Sequence, residues 1–236
     1  MSVLAFEANP DGCIIVEANE APGRLGELGL GLTVEILTSS VETGDSQRKQ
    51  KTQAFYPLSY PSVVAWAETL AALRRSLIRL QIDWSINNFS SYETVFRHEN
   101  RVSIAVAGGD KRTGRTDGRH PRLARKRGPM TTDRVRKNRA INQLALDLGP
   151  QFEPTTDDGS GAADFGCQTW FLVVYPDKDE VRVELSLASG IDKEGVVSKW
   201  IERIILPPVP VSGAVLPIDP HQDSPDDDER PFITRA

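Results

Sequence analysis

The sequence predicts an α+β fold in which small β-sheets or hairpins pack with two main helices, and a basic arm joins two lobes. Three observations lead to this prediction. Short segments rich in β-branched residues occur near both ends of the chain, two stretches carry apolar residues at helical spacing, and a central stretch is dense in arginine, glycine and proline. Runs of strands separated by isolated helices are typical of α+β proteins rather than of alternating α/β folds.

The first lobe begins with two predicted strands, Cys13–Ala18 and Leu32–Leu37, which are short, β-branched and bounded by turn-forming residues. Between them, Gly23–Gly31 holds four glycines and is predicted to be a loop. The polar stretch Thr43–Thr52 is predicted to be an exposed connection.

A helix is predicted to begin at Pro61, because proline suits the first helical position, where its missing N–H costs nothing. Apolar residues then recur at helical spacing, and the arginines that end the pattern at Arg79 suit the negative end of the helix dipole. Two strands, Tyr92–Arg97 and Arg101–Ala107, are predicted to follow around a polar turn.

A second helix is predicted from Thr132, a good N-cap, to Leu148, because Gly149 and Pro150 are typical of a helix end. Further along, Gln168–Tyr175 and Val181–Ala188 predict a hairpin. The segment Val196–Leu206 fits a short helix by its spacing and a strand by its β-branching.

The predicted organisation follows from these elements and from shifts in composition. It comprises an N-terminal α+β lobe at 1–107, a basic arm and helix at 108–149, a linker at 150–166, a C-terminal hairpin lobe at 167–212, and an acidic tail without expected order at 213–236.

The net charge of −5 conceals a strong separation of charge along the chain. Between Lys111 and Arg139 twelve Lys or Arg residues face only two acids, so this basic segment carries +10 and the remainder of the chain −15. Six acids without a base lie between Asp219 and Glu229. The glycines and prolines of 108–129 predict a mobile arm that trypsin cuts first between Lys111 and Arg127.

Within the basic segment, Gly109–Thr116 has the glycine spacing and terminal threonine of a phosphate-binding P-loop. Arg115 stands where that motif needs a lysine, and a planar guanidinium replaces that compact charge poorly. Gly118 and Pro121 also argue against a helix starting at once, although the motif needs its N-terminus to bind phosphate. We therefore expect a protein that is not an enzyme, with this degenerate motif as the only hint otherwise.

Other functional classes lack support in the sequence. No histidines and cysteines stand at metal-ligand spacing, so neither a metal nor a cofactor is expected. The opening residues do not resemble a secretion signal, and no apolar run is long enough to span a membrane. With only Cys13 and Cys167, read as buried thiols, a reducing cytoplasm is the expected location and no membrane partner is expected.

The basic segment therefore carries the functional expectation. Nine of its twelve bases are arginines, whose guanidinium groups bind phosphate through paired hydrogen bonds. We expect a non-catalytic nucleic-acid-binding subunit of a larger complex that contacts the phosphate backbone without sequence specificity. The residues expected to make these contacts are Lys111, Arg112, Arg115, Arg119, Arg122, Arg125, Lys126, Arg127, Arg134, Arg136 and Lys137.

An alternative remains open, namely a structural or assembly protein, such as a virion or scaffold component, whose basic arm docks on acidic protein neighbours. A second local alternative concerns Phe55, Tyr56 and Tyr60, which lie near bases such as Lys49. They could stack on nucleobases, but we expect them to form an edge of the core packed against the following helix.

Overall fold

The computed structural model of the chain describes residues 12–50, 55–148 and 166–211. These ranges form one seven-stranded mixed sheet with helices, so the α+β class is confirmed. The strands are β1 (Ile14–Val16), β2 (Trp84–Asn87), β3 (Thr94–Arg97), β4 (Val102–Gly108), β5 (Gln168–Pro176), β6 (Glu180–Ile191) and β7 (Val197–Pro210). The α-helices are α1 (Ala21–Glu27), α2 (Val34–Gln50), α3 (Tyr60–Arg79) and α4 (Pro129–Leu148).

The strand order across the sheet is β1-β7-β6-β5-β4-β3-β2. Two neighbouring pairs are parallel, β1 with β7 and β4 with β5, and the others are antiparallel. In place of small separate sheets, strands from residues 1–107 and strands from 167–212 lie side by side, because β4 pairs with β5 along seven residues.

Parallel strands cannot be joined by a tight turn and need a crossover connection. Between β4 and β5 this connection contains residues 109–128, here named the crossover segment, followed by α4. The predicted basic arm is therefore part of a β-α-β unit, and its start and end are both tied to the same sheet.

The sheet separates two apolar layers. On one face, Val183, Leu185 and their neighbours pack with buried residues of α1, α2 and α3. On the other face, Phe171, Val173 and Trp200 pack with residues of the crossover segment and α4. Alternation along each strand sends successive side chains to opposite faces, so both layers draw on the same strands. Cys13 and Cys167 are buried thiols, as predicted.

Helix α2 replaces the strand predicted at Leu32–Leu37 and the exposed connection predicted at Thr43–Thr52, as far as residue 50. The side chain of Thr33 accepts a hydrogen bond from Ile36 N–H at 3.1 Å, which begins the helix as an N-cap does. Leu37 and Val41 are buried one helical turn apart. Burial of these apolar residues favours a helix more strongly than the β-branched composition favours a strand.

Gly44 allows α2 and α3 to approach closely, since a Cβ there would collide with the Ala65 carbonyl and the Thr69 side chain. Helix α1 occupies most of the predicted glycine loop at Gly23–Gly31. Its Arg24 donates from Nε to Oε1 of Glu202 on β7 at 2.6 Å, and this hydrogen bond raises the pKa of Arg24. Tertiary contacts thus support a helix of poor intrinsic propensity.

The hairpin predicted at Gln168–Tyr175 and Val181–Ala188 is present as β5 and β6. The segment Val196–Leu206, left open between helix and strand, belongs to β7 from Val197 onward. The strand β2 was not predicted at all. The helix predicted from Pro61 is present as α3, and the helix predicted from Thr132 begins slightly earlier as α4. The linker at 150–165 and the acidic tail at 213–236 lie outside the described residues.

Asn138 fastens α4 to the sheet. Its side chain is buried and donates to the carbonyls of Thr169, at 2.8 Å, and Ala188, at 3.0 Å, while its Oδ1 accepts from Thr169 N–H at 2.8 Å. One amide group thereby satisfies three backbone groups on β5 and β6. Leaving buried backbone groups without partners is costly.

We expect Asn138→Ala to lower the free energy of unfolding by about 3 kcal/mol, because three backbone groups lose their partner in the interior. Urea denaturation followed by circular dichroism measures this change. The matched control is Asn142→Ala, one turn later on α4 and only partly buried, which should cost less than about 0.5 kcal/mol. Equal effects of the two substitutions would contradict the role of Asn138.

Candidate functional site

The crossover segment is fixed to the sheet by backbone hydrogen bonds. Near its end, Leu123 N–H donates to Val197 O at 3.0 Å, and Ala124 N–H donates to Gly108 O at 2.8 Å. Leu123 also forms an isolated bridge with Gly109. These bonds hold both the start and the end of the segment against strands β4 and β7.

Two further contacts hold the segment from β7 and from the turn before it. Trp200 Nε1 donates to Pro121 O at 2.8 Å, from a ring that is itself buried. Arg127 N–H donates to Gly195 O at 3.0 Å. The prediction of a free, mobile arm at 108–129 is therefore wrong, since the glycines and prolines form turns that lie on the sheet.

A buried ion pair lies beneath the first half of the segment. Arg203 on β7 contacts Glu184 on β6, with Nη2 to Oε2 at 2.6 Å and Nε to Oε1 at 3.1 Å, and both residues are almost fully buried. Oε2 of Glu184 also accepts from Gly114 N–H at 2.9 Å, and Arg203 Nη2 donates to Arg115 O at 3.0 Å. The pair thus bonds directly to the backbone that covers it.

Six of the eleven predicted contact residues are exposed, and four of these six form no ion pair with a residue that the structure describes. They are Lys111, Arg119, Arg125 and Lys126. Their side chains project from a segment whose backbone is hydrogen-bonded to the sheet. We name these four residues the open bases.

Four other predicted residues have acidic partners nearby. Arg112 and Arg136 lie 3.8 Å from Asp110 and Asp133, and Arg115 pairs with Asp117 through two nitrogens at 2.8 and 2.9 Å. The fourth is Arg122, which contacts two carboxylates, Asp192 and Glu194. Exposed pairs of this kind contribute little to stability, so a phosphate group can compete for these guanidiniums.

The carboxylates around Arg122 are also ordered by the backbone. A hydrogen bond from Val196 N–H has the largest effect and holds the pKa of Asp192 below its ordinary value; burial opposes it, and the bond from Arg122 adds to the lowering. The Asp192 carboxylate therefore stays charged at neutral pH and pairs with Arg122.

The remaining predicted residues lie deeper. Arg134 is buried, with its guanidinium 5.4 Å from the centroid of the Tyr92 ring, which corrects the expectation of a surface contact. Lys137 and Arg127 are partly buried. Burial lowers the pKa of the Arg127 guanidinium, the charge of Arg125 acts in the same direction, and Tyr92 opposes them.

The P-loop-like stretch Gly109–Thr116 forms a tight turn. The Asp110 side chain accepts from Arg112 N–H at 2.9 Å, and Thr113 N–H donates to Asp110 O at 3.0 Å. No helix begins directly after Gly114; the next helix in the described chain is α4. The turn therefore lacks the helix N-terminus that a P-loop presents to phosphate.

Two adjoining cavities, which the sequence did not reveal, share Trp66, Val106 and Arg127 in their walls. The larger, of about 510 Å³, lies between helices α2 and α3 and the ends of β4 and β5. The smaller, of about 350 Å³, lies at the start of α4. Their residues come from six separate stretches of the chain, which explains why no local pattern indicated them.

Phe55 and Tyr56, which precede α3, are exposed, whereas Tyr60, the first residue of α3, is partly buried. The Phe55 side chain is 97% exposed and Leu58 is fully exposed, while the rings of Tyr56 and Tyr60 stack with centroids 4.4 Å apart. The packing role favoured for Phe55 is therefore wrong.

Within the described ranges, no three His, Cys, Asp or Glu side chains come together as they would around a metal ion. Among the same residues, none of the helices combines the length and apolar character needed to cross a membrane. Comparison with models of known protein families finds no match, and comparisons with curated proteins and with solved structures find none either.

We expect Glu184→Gln to release the crossover segment, because breaking one partner of a buried ion pair costs about 3 kcal/mol and here leaves Arg203 without its counter-charge. Limited trypsin digestion with mass spectrometry should show cleavage between Lys111 and Arg127 in the variant well before wild type. Glu194→Gln, at an exposed acid that contacts Arg122, is the control and should digest like wild type. Equal resistance of all three proteins would disprove the anchoring role.

Proposed function

We propose that this chain is a non-catalytic nucleic-acid-binding subunit of a larger complex, which contacts the phosphate backbone without sequence specificity. The observation that carries the proposal is the fixed crossover segment, whose backbone bonds to the sheet while Lys111, Arg119, Arg125 and Lys126 extend into solvent. Bases on a backbone that is already held in place lose less backbone entropy on binding than those of a free arm would.

The ion-paired arginines of the crossover segment add further positive charge. Arg115 and Arg122 are paired with acids at the protein surface, where phosphate can exchange with carboxylate at little cost. Phosphate contacts position a protein on nucleic acid without reading its sequence. Arg134 is left out of the proposed interface because its side chain is buried.

A second candidate function, assembly with protein neighbours, is favoured by a separate observation. Phe55 and Leu58 are almost completely exposed, and Ile86 on the edge strand β2 and Phe89 just after it are 50% and 39% exposed. Exposed apolar side chains in groups mark protein interaction surfaces. In this alternative the open bases dock on an acidic protein, and the apolar residues make the remaining contacts.

The test removes three open bases that do not line the larger cavity, through Lys111→Gln, Arg119→Gln and Lys126→Gln in one variant. Fluorescence anisotropy with a random-sequence duplex and a single strand, at several salt concentrations, measures binding. On duplex DNA we expect the slope of log affinity against log salt to become shallower by about 2.7, because each phosphate contact contributes about 0.9. The loss should be similar for every sequence.

The matched control removes three exposed positive charges elsewhere, through Arg75→Gln, Arg79→Gln and Lys178→Gln. It changes the net charge equally and should leave the slope near that of wild type. If both variants lose the same slope, only the overall charge matters and the interface is disproved. If wild type binds no nucleic acid and purifies as a large oligomer, the assembly function replaces the nucleic-acid-binding function.

A further inference from the structure

The larger cavity opens at the carboxyl ends of the parallel strands β4 and β5. Gly108 and Gly109 at the end of β4, and Val174, Tyr175 and Pro176 at the end of β5, line it. Open sheets commonly bind ligands in the crevice outside the carboxyl ends of parallel strands, where connections leave toward different faces. Here α2 and α3 form one wall, and the crossover segment forms the other.

The charged residues of this cavity leave an excess of positive charge. Arg48 is neutralised by Asp45, which also pairs with Lys49 at 2.8 Å. Arg125 and Arg127 also line the cavity, and neither forms an ion pair with an acid in the described chain. Both arginines therefore line the cavity without an acidic partner in the described chain.

The hydrogen-bonding capacity of the Arg127 guanidinium is not fully used within the described chain. Its Nε is buried and has no hydrogen-bond partner among the described residues. A buried donor without a partner is costly, and the cost is higher for a charged group. An anion held by Arg125 and Arg127 would provide the missing counter-charge and acceptors for the terminal guanidinium nitrogens.

The rest of the lining is mostly apolar. Val41, Val63, Val106 and the ring of Trp66 contribute to it. Trp66 remains 37% exposed, whereas Trp84, Trp170 and Trp200 are at most 5% exposed. A half-exposed indole in an apolar cavity provides a flat surface on which a planar group can stack.

We propose that the cavity binds a small organic phosphate with a planar body, its phosphate between Arg125 and Arg127 and its ring against Trp66. A phosphate dianion balances two guanidiniums, and its oxygens accept the paired hydrogen bonds that arginine donates. A carboxylate balances only one of the two charges. The volume of about 510 Å³ falls within the range of small-molecule sites. The proposal does not depend on the surface interface described above.

The first experiment uses phenyl phosphate as the probe, with inorganic phosphate, benzoate and phenol as comparisons. Isothermal calorimetry on the full chain should show phenyl phosphate binding at least about ten times more tightly than each comparison, a difference of about 1.4 kcal/mol. Tryptophan fluorescence should change on binding, since Trp66 is the half-exposed indole. Absence of phenyl phosphate binding at millimolar concentration would overturn the proposal.

The second experiment assigns the binding to the two arginines. Arg127→Met, which keeps the length of the side chain, should weaken phenyl phosphate binding at least about tenfold, and Arg125→Met should do so severalfold. Arg119→Met removes an open base outside the cavity and should change nothing. Because Arg125 is exposed, its variant tests the site even if Arg127→Met unfolds. Unchanged affinity in the folded variants would overturn the proposal.

The ring contact has its own variant. Trp66→Phe should abolish the fluorescence change while calorimetry still detects weakened binding of phenyl phosphate and unchanged binding of inorganic phosphate. A fluorescence change that persists in this variant would place the ligand elsewhere and contradict the assigned site.

The phosphate could belong to a free metabolite or to the end of a nucleic-acid strand, and a further comparison distinguishes these sources. A terminally phosphorylated dinucleotide that binds more tightly than a nucleoside monophosphate, with the same dependence on Arg127, indicates a strand end. The reverse order indicates a free molecule. The variant lacking Lys111, Arg119 and Lys126 should bind phenyl phosphate like wild type, so failure of the surface interface leaves this result intact.

Discussion

The carboxylate of Glu184 and the guanidinium of Arg203 meet on adjacent strands, at a depth where neither charge reaches water. Taking both charges out of water is costly, and the cost is offset only when further hydrogen bonds satisfy their remaining atoms. The backbone of Gly114 and Arg115 provides those bonds from above. The sheet therefore needs the crossover segment as a cover, and the segment needs the pair as an anchor.

This mutual dependence explains how a stretch of glycine, proline and arginine can be ordered. Its side chains bury little apolar surface apart from Pro121 and Leu123, so hydrophobic burial alone would not hold it. Backbone hydrogen bonds to β4, β7 and the turn before β7 hold it instead. Since the backbone faces the sheet, the long basic side chains are directed outward, where they keep their hydration and remain accessible to a polyanion.

The same placement creates the crevice. After β4 the chain passes to the sheet face that α4 covers, while α2 and α3 cover the other face. A gap therefore remains open at the ends of β4 and β5. Arg127 lies where the segment turns into α4 and lines the cavities on both sides of this point. One connection thus provides the exposed bases of the surface and the two guanidiniums of the cavity.

The sequence by itself determined the α+β class, the hairpin β5–β6, helices α3 and α4, and the location of the positive charge, because each depends on local periodicity or composition. Tertiary structure decided the rest. Burial of Leu37 and Val41 makes α2 a helix despite its β-branched start, and the pairing of β4 with β5 merges the strands into one sheet. The order of the crossover segment depends on Glu184 and Arg203, which lie about seventy and ninety residues away from it. Contacts at such sequence separation leave no local pattern, so neither the anchored segment nor the cavity beside Arg127 could be predicted from the sequence.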